Sequence, residues 1–317
     1  MKLLVTTNYM NLQAQELGRE FPQVEFIVAE KLEDQLKVAA EIEAAVGYVS
    51  QELFLAAPKL RWVQSASAGV EWMRNAPALV ESDVTVTNMK GAHASTIAEH
   101  TFGMLVFLAR KFGFLYEQQK NKEWVPFGQG TQYFGLAGMT MGIVGLGQIG
   151  RAIAKRANAF EMNVIAVDLH PVEKPDYVSE LGNLDALPDL MRRSDAVAIA
   201  IPITPETRGM INAKLLRSMR PNAYLLVMSR GGIVDEPTLI EMLHEGKLAG
   251  AGLDVTAVEP LPKDNPLWNA PNVIITPHCS PTSAQTANNT KTILRENLVR
   301  YLAGQPLLNV VDKKLGY

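Results

Sequence analysis

Short apolar runs alternate with longer amphipathic stretches through the first hundred residues of the chain. The runs predict β-strands, because each is bounded by polar or turn-forming residues. The predicted strands are Leu3 to Thr6, Val24 to Ala29, Ala45 to Val49, Arg61 to Gln64 and Val84 to Thr87. Helical stretches, such as Asn11 to Glu20 and Leu32 to Glu43, lie between them. This alternation predicts a parallel sheet built from βαβ units.

A second series of the same kind begins near residue 140. Its predicted strands are Thr140 to Val144, Asn163 to Val167, Ala196 to Ile201, Ala223 to Met228, Gly250 to Leu253 and Val273 to Thr276. Six such strands with helices between them are typical of a doubly wound sheet.

Three further segments connect or follow the two series. A helical pattern from Ser95 to Lys120, with Glu99 behind the Ser95-Thr96 cap, is long enough to bridge two lobes. A loop at Val125 to Gln132 follows it. After a final helix at about Ser283 to Ala303, the apolar run Leu307 to Val311 lacks a strand partner in the second series. We therefore expect this tail to return to the first lobe.

A glycine loop follows the first strand of the second series. Its cofactor-binding candidates are Gly145, Gly147, Gln148, Ile149 and Gly150. Asp168 follows the next strand, eighteen residues after the last glycine. Glycines at this spacing permit a tight turn, close approach of the backbone to a pyrophosphate and close helix–strand packing. The helix that begins near Gln148 would direct free N–H groups at the phosphates. Asp168 would accept hydrogen bonds from ribose hydroxyls and repel a 2′-phosphate, so the pattern favours NAD over NADP.

These patterns predict an α/β fold with two parallel-sheet lobes. A Rossmann NAD-binding domain at residues 99–284 is inserted into a smaller, flavodoxin-like substrate-binding domain. The smaller domain comprises residues 1–98 and 285–317, and is therefore discontinuous.

The composition favours a globular protein and argues against a nucleic-acid-binding, membrane or secreted protein. With 317 residues, 47% hydrophobic and 20% charged, the chain is typical of a globular protein of about two domains. A net charge of −3 provides no basic surface for nucleic acid. We expect no membrane span, since no apolar run approaches about 18 residues. The N-terminus lacks a secretory signal pattern, and a single cysteine suits a reducing compartment, so we expect a cytoplasmic location.

Polar side chains follow the last three strands of the second series. Arg230 follows the fourth strand, Asp254 the fifth and His278 the sixth, with Glu259 just after Asp254. Because ligands bind beyond the carboxyl ends of such strands, we expect these groups to converge near the nicotinamide ring. A histidine can give or take a proton near neutrality, and a carboxylate on its second ring nitrogen fixes the tautomer and favours the imidazolium. The arginine presents a planar fork of donors that matches a carboxylate.

Four blocks together resemble the D-isomer-specific 2-hydroxyacid dehydrogenase family. They are the GLGQIG loop with Asp168, SRGGIVDE, GLDVTAVEPLP and NVIITPH. The resemblance implies reversible reduction of a 2-oxo acid with a nicotinamide cofactor. Arg230 would bind the substrate carboxylate and carbonyl, His278 would be the acid/base, and Glu259 would support the histidine.

The resemblance also implies the remaining contacts and a homodimer. Further cofactor contacts would be Pro202, Thr207, Ser229, Asp254 and His278, and substrate contacts Ser67, Ala68, Gly69 and Arg230. The sequence departs from the family at Val227, where asparagine is usual, and at Cys279-Ser280-Pro281 after the histidine. These departures concern the pocket wall, and thus the identity of the 2-hydroxy acid.

Two other functions remain open at this stage. The same fold serves NAD(H)-sensing corepressor-like proteins, although this chain has no long disordered extension. A formate- or phosphite-type dehydrogenase would share the arginine and the histidine. We predict no metal site, interpret Cys279 as a small buried thiol rather than a nucleophile, and expect His93, His100 and His244 to be structural or solvent-facing.

Overall fold

The computed structural model describes residues 1–7, 10–124, 126 and 132–316, with the backbone alone at residue 12. The predicted loop at 125–132 therefore lies almost entirely outside the described residues. The chain divides into two compact units, residues 1–93 with 283–317, and residues 94–282. Both divisions fall where a long helix begins, slightly before the boundaries expected from the sequence.

Twelve strands are present in the described residues. They are β1 (Lys2–Val5), β2 (Glu25–Val28), β3 (Ala44–Val46), β4 (Trp62–Gln64), β5 (Thr85–Thr87), β6 (Thr140–Val144), β7 (Asn163–Val167), β8 (Glu180–Gly182), β9 (Ala196–Ile199), β10 (Tyr224–Val227), β11 (Gly250–Leu253) and β12 (Val273–Ile275). All strand pairings within the two sheets are parallel. The predicted α/β class is confirmed.

Eleven α-helices lie in the same residues. They are α1 (Asn11–Glu20), α2 (Leu32–Val38), α3 (Gln51–Ala56), α4 (Pro77–Glu81), α5 (Ala94–Ala109), α6 (Phe112–Lys120), α7 (Gln148–Ala159), α8 (Leu187–Arg193), α9 (Ala213–Arg217), α10 (Glu236–His244) and α11 (Ala284–Leu302). Short 3₁₀ helices occur at Ala39–Glu41, Glu71–Asn75, Leu184–Ala186 and Pro266–Asn269. No helix in the described part of the chain combines the length and apolar character needed to cross a membrane.

The first unit is a five-stranded sheet in the order β2-β1-β3-β4-β5. Alternate residues of β4 enter different cores, Trp62 on one face and Val63 on the other. Helix α11 packs on the Trp62 face, where the ring of Tyr301 stacks on Trp62 at 5.3 Å between centroids. The C-terminal tail reaches β5, because the N–H of Val311 donates to the carbonyl of Val86 at 2.8 Å. Both ends of the chain thus build this unit.

The second unit is a seven-stranded sheet in the order β12-β11-β10-β9-β6-β7-β8. The order reverses between β6 and β9, which places the topological switch point beside the glycine loop. The sheet contains one strand that the sequence pattern did not predict, β8, which occupies the edge beside β7. Helices cover both faces around two separate hydrophobic cores.

The long helix predicted from Ser95 to Lys120 is wrong as a single element. The structure has two helices, α5 and α6, and Lys111 between them adopts a left-handed conformation with φ 54°. A Cβ atom at Gly113 would lie 2.9 Å from Cζ of Phe107, so the glycine permits close packing at the break. In α5, Phe102 and Leu105 belong to the core, whereas Phe112 and Phe114 of α6 are exposed.

Candidate functional site

The glycine loop begins directly after β6, and its three glycines occupy different environments. Gly145 has φ +95°, which an L side chain rarely adopts. A Cβ atom at Gly150 would overlap the carbonyl oxygen of Gly145, so this position must remain a glycine for α7 to pack on the loop. Nothing lies within 4 Å of a Cβ atom built at Gly147. The loop is therefore open at the position where a ligand would approach.

Helix α7 begins at Gln148 with Gly147 as its N-cap, and no side chain makes a capping hydrogen bond there. The N–H groups of the first turn, Gln148 and Ile149 included, lack an intrahelical acceptor, and the helix dipole adds partial positive charge. Gly147 and Gln148 are both exposed. An uncapped, accessible helix N-terminus beside an open glycine fits a diphosphate group.

Asp168, directly after β7, connects that strand to the glycine loop. Its Oδ2 accepts from the N–H of Leu146 at 2.6 Å, and its Oδ1 accepts from the N–H of His170 at 2.9 Å. These bonds fix the carboxylate while leaving it half-buried. A negative charge therefore lies next to the diphosphate-type site.

The segment after β9 is folded on itself through Thr207. The Thr207 hydroxyl donates to the carbonyl of Pro202 at 2.8 Å, and the N–H of Thr204 donates to the same hydroxyl at 2.7 Å. Thr207 is buried and Pro202 is exposed. The threonine thus shapes the loop, and Pro202 is among the residues of the loop that a ligand can reach.

Ser229 and Arg230 follow β10. The Ser229 hydroxyl oxygen is buried and has no hydrogen-bond partner among the described residues. A buried polar atom without a partner is unfavourable by about 1–3 kcal/mol, and such an atom at a strand's carboxyl end fits a bound ligand. Arg230 is half-buried, and its Nη1 donates to the carbonyl of Ser229 at 2.8 Å. A Cβ atom at Gly231 would overlap the carbonyl of Thr256, so the loops after β10 and β11 touch.

The side chains of His278 and Glu259 form a close hydrogen-bonded pair. His278 Nδ1 lies 2.8 Å from Glu259 Oε2, and the other carboxylate oxygen accepts from the N–H of Thr256 at 3.0 Å. Both side chains are partly exposed, by 39% and 37%. The ring is held through Nδ1, which leaves Nε2 as the nitrogen available to a reacting group.

Asp254 organises the turn that carries His278. Its Oδ1 accepts from the Thr276 hydroxyl at 2.5 Å and from the N–H of Cys279 at 2.9 Å, and its Oδ2 accepts from the N–H of Ser280 at 3.0 Å. The N–H of His278 donates to the carbonyl of Asp254 at 2.8 Å, and His278 itself has φ 50°. The buried Asp254 therefore holds a left-handed residue in place.

Glu236, the first residue of α10, lies beside the same loop. Its Oε1 accepts from the N–H of Ala257 at 2.5 Å. Burial raises the pKa of the Glu236 carboxyl, and the charge of Glu259 raises the pKa further, whereas the Ala257 hydrogen bond opposes the shift. Two carboxylates thus share the environment of the loop after β11.

Comparison with known proteins identifies the family. Residues 102–280 match the family described as D-isomer specific 2-hydroxyacid dehydrogenase, NAD binding domain. The sequence is 32% identical over 299 residues to a glyoxylate reductase of Korarchaeum cryptofilum, covering 93% of this chain and 88% of that one. The chain belongs to the D-isomer-specific 2-hydroxyacid dehydrogenase family.

Two further relatives describe the range of the family. Identity with the D-3-phosphoglycerate dehydrogenase of Methanocaldococcus jannaschii is 33% over 98% of this chain, which spans 59% of that protein's length. The structure of the NADPH-dependent glyoxylate/hydroxypyruvate reductase of Sinorhizobium meliloti, in complex with NADP and sulfate, superposes with a TM-score of 0.86. It is 27% identical and covers 100% of this chain and 99% of the other. The expected resemblance is confirmed, and the family's cofactor is NAD or NADP.

In this family member, the loop Ser67, Ala68, Gly69 lies in the first unit after β4. The Ser67 N–H donates to the Ser65 hydroxyl at 3.3 Å, the Ser67 hydroxyl donates to the carbonyl of Gly69 at 2.6 Å, and Asn88 holds the carbonyl of Ala68 at 2.9 Å. A 3₁₀ turn at Glu71–Asn75 follows the loop, rather than an α-helix. The loop is preformed, but a helix dipole contributes little to it.

Three polar residues near His278 were not assigned a site role from the sequence. Thr276 lies in the NVIITPH block directly after β12, and its hydroxyl donates to Asp254, so its position at the strand end was a usable signal. His100, in α5, lies with Nε2 3.0 Å from the Thr276 hydroxyl across 176 residues of sequence, which no local pattern reveals. Glu236 lies in the SRGGIVDE block without an obvious chemical partner. Cys279 is half-buried rather than fully buried.

Proposed function

We propose that this protein reduces a 2-oxo acid to a D-2-hydroxy acid with NADH and catalyses the reverse oxidation. One observation carries the proposal. His278 Nδ1 lies 2.8 Å from Glu259 Oε2, at the carboxyl edge of a doubly wound sheet with a dinucleotide-type glycine loop. The family membership of the chain supports the same reaction class.

The acid/base step belongs to His278. When bound, the nicotinamide cofactor supplies the hydride for the carbonyl carbon. His278 Nε2 gives its proton to the carbonyl oxygen as that oxygen gains charge, and it accepts the proton in the reverse direction. Glu259 accepts the hydrogen bond from Nδ1 and orients the ring, so that Nε2 faces the substrate.

Substrate binding is assigned to Arg230 and to the loop of the first unit. The Arg230 guanidinium binds the substrate carboxylate and polarises the carbonyl oxygen through parallel N–H donors. Ser67, Ala68 and Gly69 provide further backbone contacts to the carboxylate.

Cofactor binding is assigned to the open edge around the switch point. Gly145, Gly147, Gln148, Ile149 and Gly150 hold the pyrophosphate, and Asp168 binds the ribose. The remaining contacts are Pro202, Thr207, Ser229, Asp254 and His278. The Asp168 carboxylate repels a 2′-phosphate, which favours NADH, although a relative of similar fold carries NADP. The homodimer and the cytoplasmic location remain predictions from resemblance and composition.

A substrate panel with the purified full-length protein tests the proposal. Loss of NADH absorbance is followed with glyoxylate, hydroxypyruvate, pyruvate and a branched 2-oxo acid, and the chirality of the product is determined. Turnover that gives a D product supports the reductase. Tight NADH binding with no turnover of any acid would instead favour a nucleotide-sensing protein. Reduction of NAD⁺ by formate or phosphite would favour that type of dehydrogenase.

The cofactor preference has a separate test. Wild type should prefer NADH over NADPH in kcat/KM, and Asp168→Ser should reduce that ratio, because the carboxylate charge is removed. The serine hydroxyl can still accept one backbone hydrogen bond, so the loop keeps part of its support. A wild-type preference for NADPH would contradict the assignment of NAD without affecting the reaction class.

A further inference from the structure

A second cluster of ligand-type atoms lies beside the turn that carries His278. It consists of His100 from α5, Asp254 after β11 and Cys279 after β12. A ring nitrogen, a carboxylate oxygen and a thiol sulfur from these residues lie within 4.8 Å of one another. We infer that this cluster binds a divalent ion of the zinc type, and that the bound ion inhibits the enzyme.

The spacing is close to that of a tetrahedral site. His100 Nε2 lies 3.8 Å from Asp254 Oδ1. Ligand bonds of about 2.0–2.3 Å at tetrahedral angles separate ligand atoms by about 3.3–3.7 Å. The Cys279 sulfur lies within 4.8 Å of the other two ligand atoms, so it must move closer to them to complete the site. The Thr276 hydroxyl, 3.0 Å from His100 Nε2, provides a further oxygen next to the site.

Asp254 is already oriented by its surroundings. Its side chain has no exposed surface, and the N–H groups of Cys279 and Ser280 hold its two oxygens. Ligating carboxylates in metal sites are typically supported by such outer hydrogen bonds. His100 is 25% exposed, so an ion can reach the cluster from the α5 side.

The charge of the site balances. A carboxylate, a thiolate and a neutral imidazole together neutralise a divalent cation, so the ion can enter a mostly buried position without an uncompensated charge. Mixed nitrogen, oxygen and sulfur ligands favour zinc-type ions over magnesium or calcium.

The hydrogen bonds of the cluster also define which atoms carry protons before and after metal binding. The Thr276 hydroxyl donates to Asp254, so His100 Nε2 is the donor in the metal-free contact with Thr276. On binding, the metal takes the lone pair of Nε2, the ring proton resides on Nδ1, and Cys279 releases its thiol proton to solvent. One proton leaves per ion.

The expected inhibition follows because Cys279 is bonded directly to His278, the proposed acid/base residue. Its sulfur must move toward α5, and His278 immediately precedes it in a turn anchored on Asp254. A shift of His278 relative to Glu259 misplaces the acid/base nitrogen, and a displacement of about 1 Å costs about 100-fold in rate. This part rests on the proposed function, whereas metal binding does not.

Cobalt spectroscopy of the full-length protein tests the site without any assay of activity. The chain has one cysteine, so a thiolate-to-cobalt band in the near ultraviolet reports Cys279 alone. We expect one Co²⁺ per chain, tetrahedral visible bands and displacement by Zn²⁺. Absence of the thiolate band at millimolar Co²⁺ would overturn the site.

Substitutions test whether Cys279 and His100 are ligands of the ion. Cys279→Ser should abolish the near-ultraviolet band, and His100→Gln, which retains an N–H donor for Thr276, should weaken binding at least about 10-fold. His244→Gln, at the exposed end of α10, is the matched control and should bind as wild type. Equal binding by all three variants would contradict the assignment.

Wild type alone provides a second measurement if a variant fails to fold. Zn²⁺ should protect Cys279 from a thiol reagent, and a chelator should restore both its reactivity and the turnover of a 2-oxo acid. Unchanged thiol reactivity in saturating Zn²⁺ would refute the site. Protection without loss of turnover would refute the inhibition only.

Discussion

The backbone N–H of His278 donates to the carbonyl oxygen of Asp254 at 2.8 Å. The same aspartate receives the two following N–H groups on its side chain, so one residue anchors three consecutive positions of the turn. The turn that carries His278, the proposed acid/base residue, therefore depends on a carboxylate at the end of the neighbouring strand.

Asp254→Asn should disturb this turn while keeping its shape nearly unchanged. The asparagine oxygen can still accept from Thr276 and Cys279, but its amide then faces the N–H of Ser280. We expect a loss of about 1–3 kcal/mol in the free energy of unfolding, together with a lower kcat. Urea denaturation and steady-state kinetics measure the two effects. Wild-type values of both would show that the side chain does not support His278.

His278→Gln should lower kcat by about 10²–10⁴-fold, because the general acid is removed while the binding surface remains. Glu259→Gln should act through the same proton transfer. The double variant should therefore be little worse than His278→Gln alone. NADH binding, followed by fluorescence, is the control and should persist in all three. Additive losses in the double variant would indicate that Glu259 acts independently of the histidine.

Arg230→Lys should lower kcat/KM for the 2-oxo acid by about 10- to 100-fold, because an ammonium cannot reproduce two parallel hydrogen bonds to a carboxylate. Arg230→Ala should lower it further, with a higher KM and a lower kcat. If lysine substitutes without loss, the arginine is not the carboxylate-binding group.

Gly150→Ala and Gly147→Ala form a matched pair in one loop. A methyl group at 150 overlaps the Gly145 carbonyl, so we expect a loss of about 1–3 kcal/mol in stability and weak NADH binding. A methyl group at 147 meets open space, so the fold should persist while NADH affinity falls. Thermal melts and NADH titrations separate the two outcomes. Unchanged NADH affinity in Gly147→Ala would contradict close approach of a diphosphate there.

Glu236→Gln should change how stability depends on pH. The pKa of Glu236 is raised from its ordinary value of 4.5 by burial, so the folded state binds the proton more tightly than the unfolded state. Its contribution to stability is present below that ordinary value and is lost as pH rises through the folded pKa. The variant should therefore be more stable than wild type near about pH 8, with little difference near about pH 4. If the free energies of unfolding of the variant and the wild type differ by the same amount at every pH, this prediction is contradicted.

Strand positions were predictable where burial is complete. The bounds of β6, β7 and β11 agree with the apolar runs, because central parallel strands are covered on both faces and exclude polar residues. The edge strand β8 has the sequence Glu180-Leu181-Gly182, which shows no such pattern. The break at Lys111 escaped prediction because the helical periodicity continues through it.

Part of the candidate site was predictable because the ends of parallel strands can be located in the sequence. Residues directly after strands, such as Arg230 and His278, follow from the topology of a parallel sheet. The contact of His100 with Thr276 joins a helix to a strand end, and it depends on how α5 packs against the sheet. Side-chain position on a packed helix is a tertiary property that spacing along the chain does not determine.

The division of the chain also has a consequence for biosynthesis. The second unit is one uninterrupted stretch, whereas the sheet of the first unit requires Leu294, Leu298 and Tyr301 from α11 to cover one face. A nascent chain emerging from the ribosome can therefore complete the inserted unit first. The first unit finishes only after α11 has been synthesised, and until then one face of its sheet exposes apolar side chains that favour aggregation.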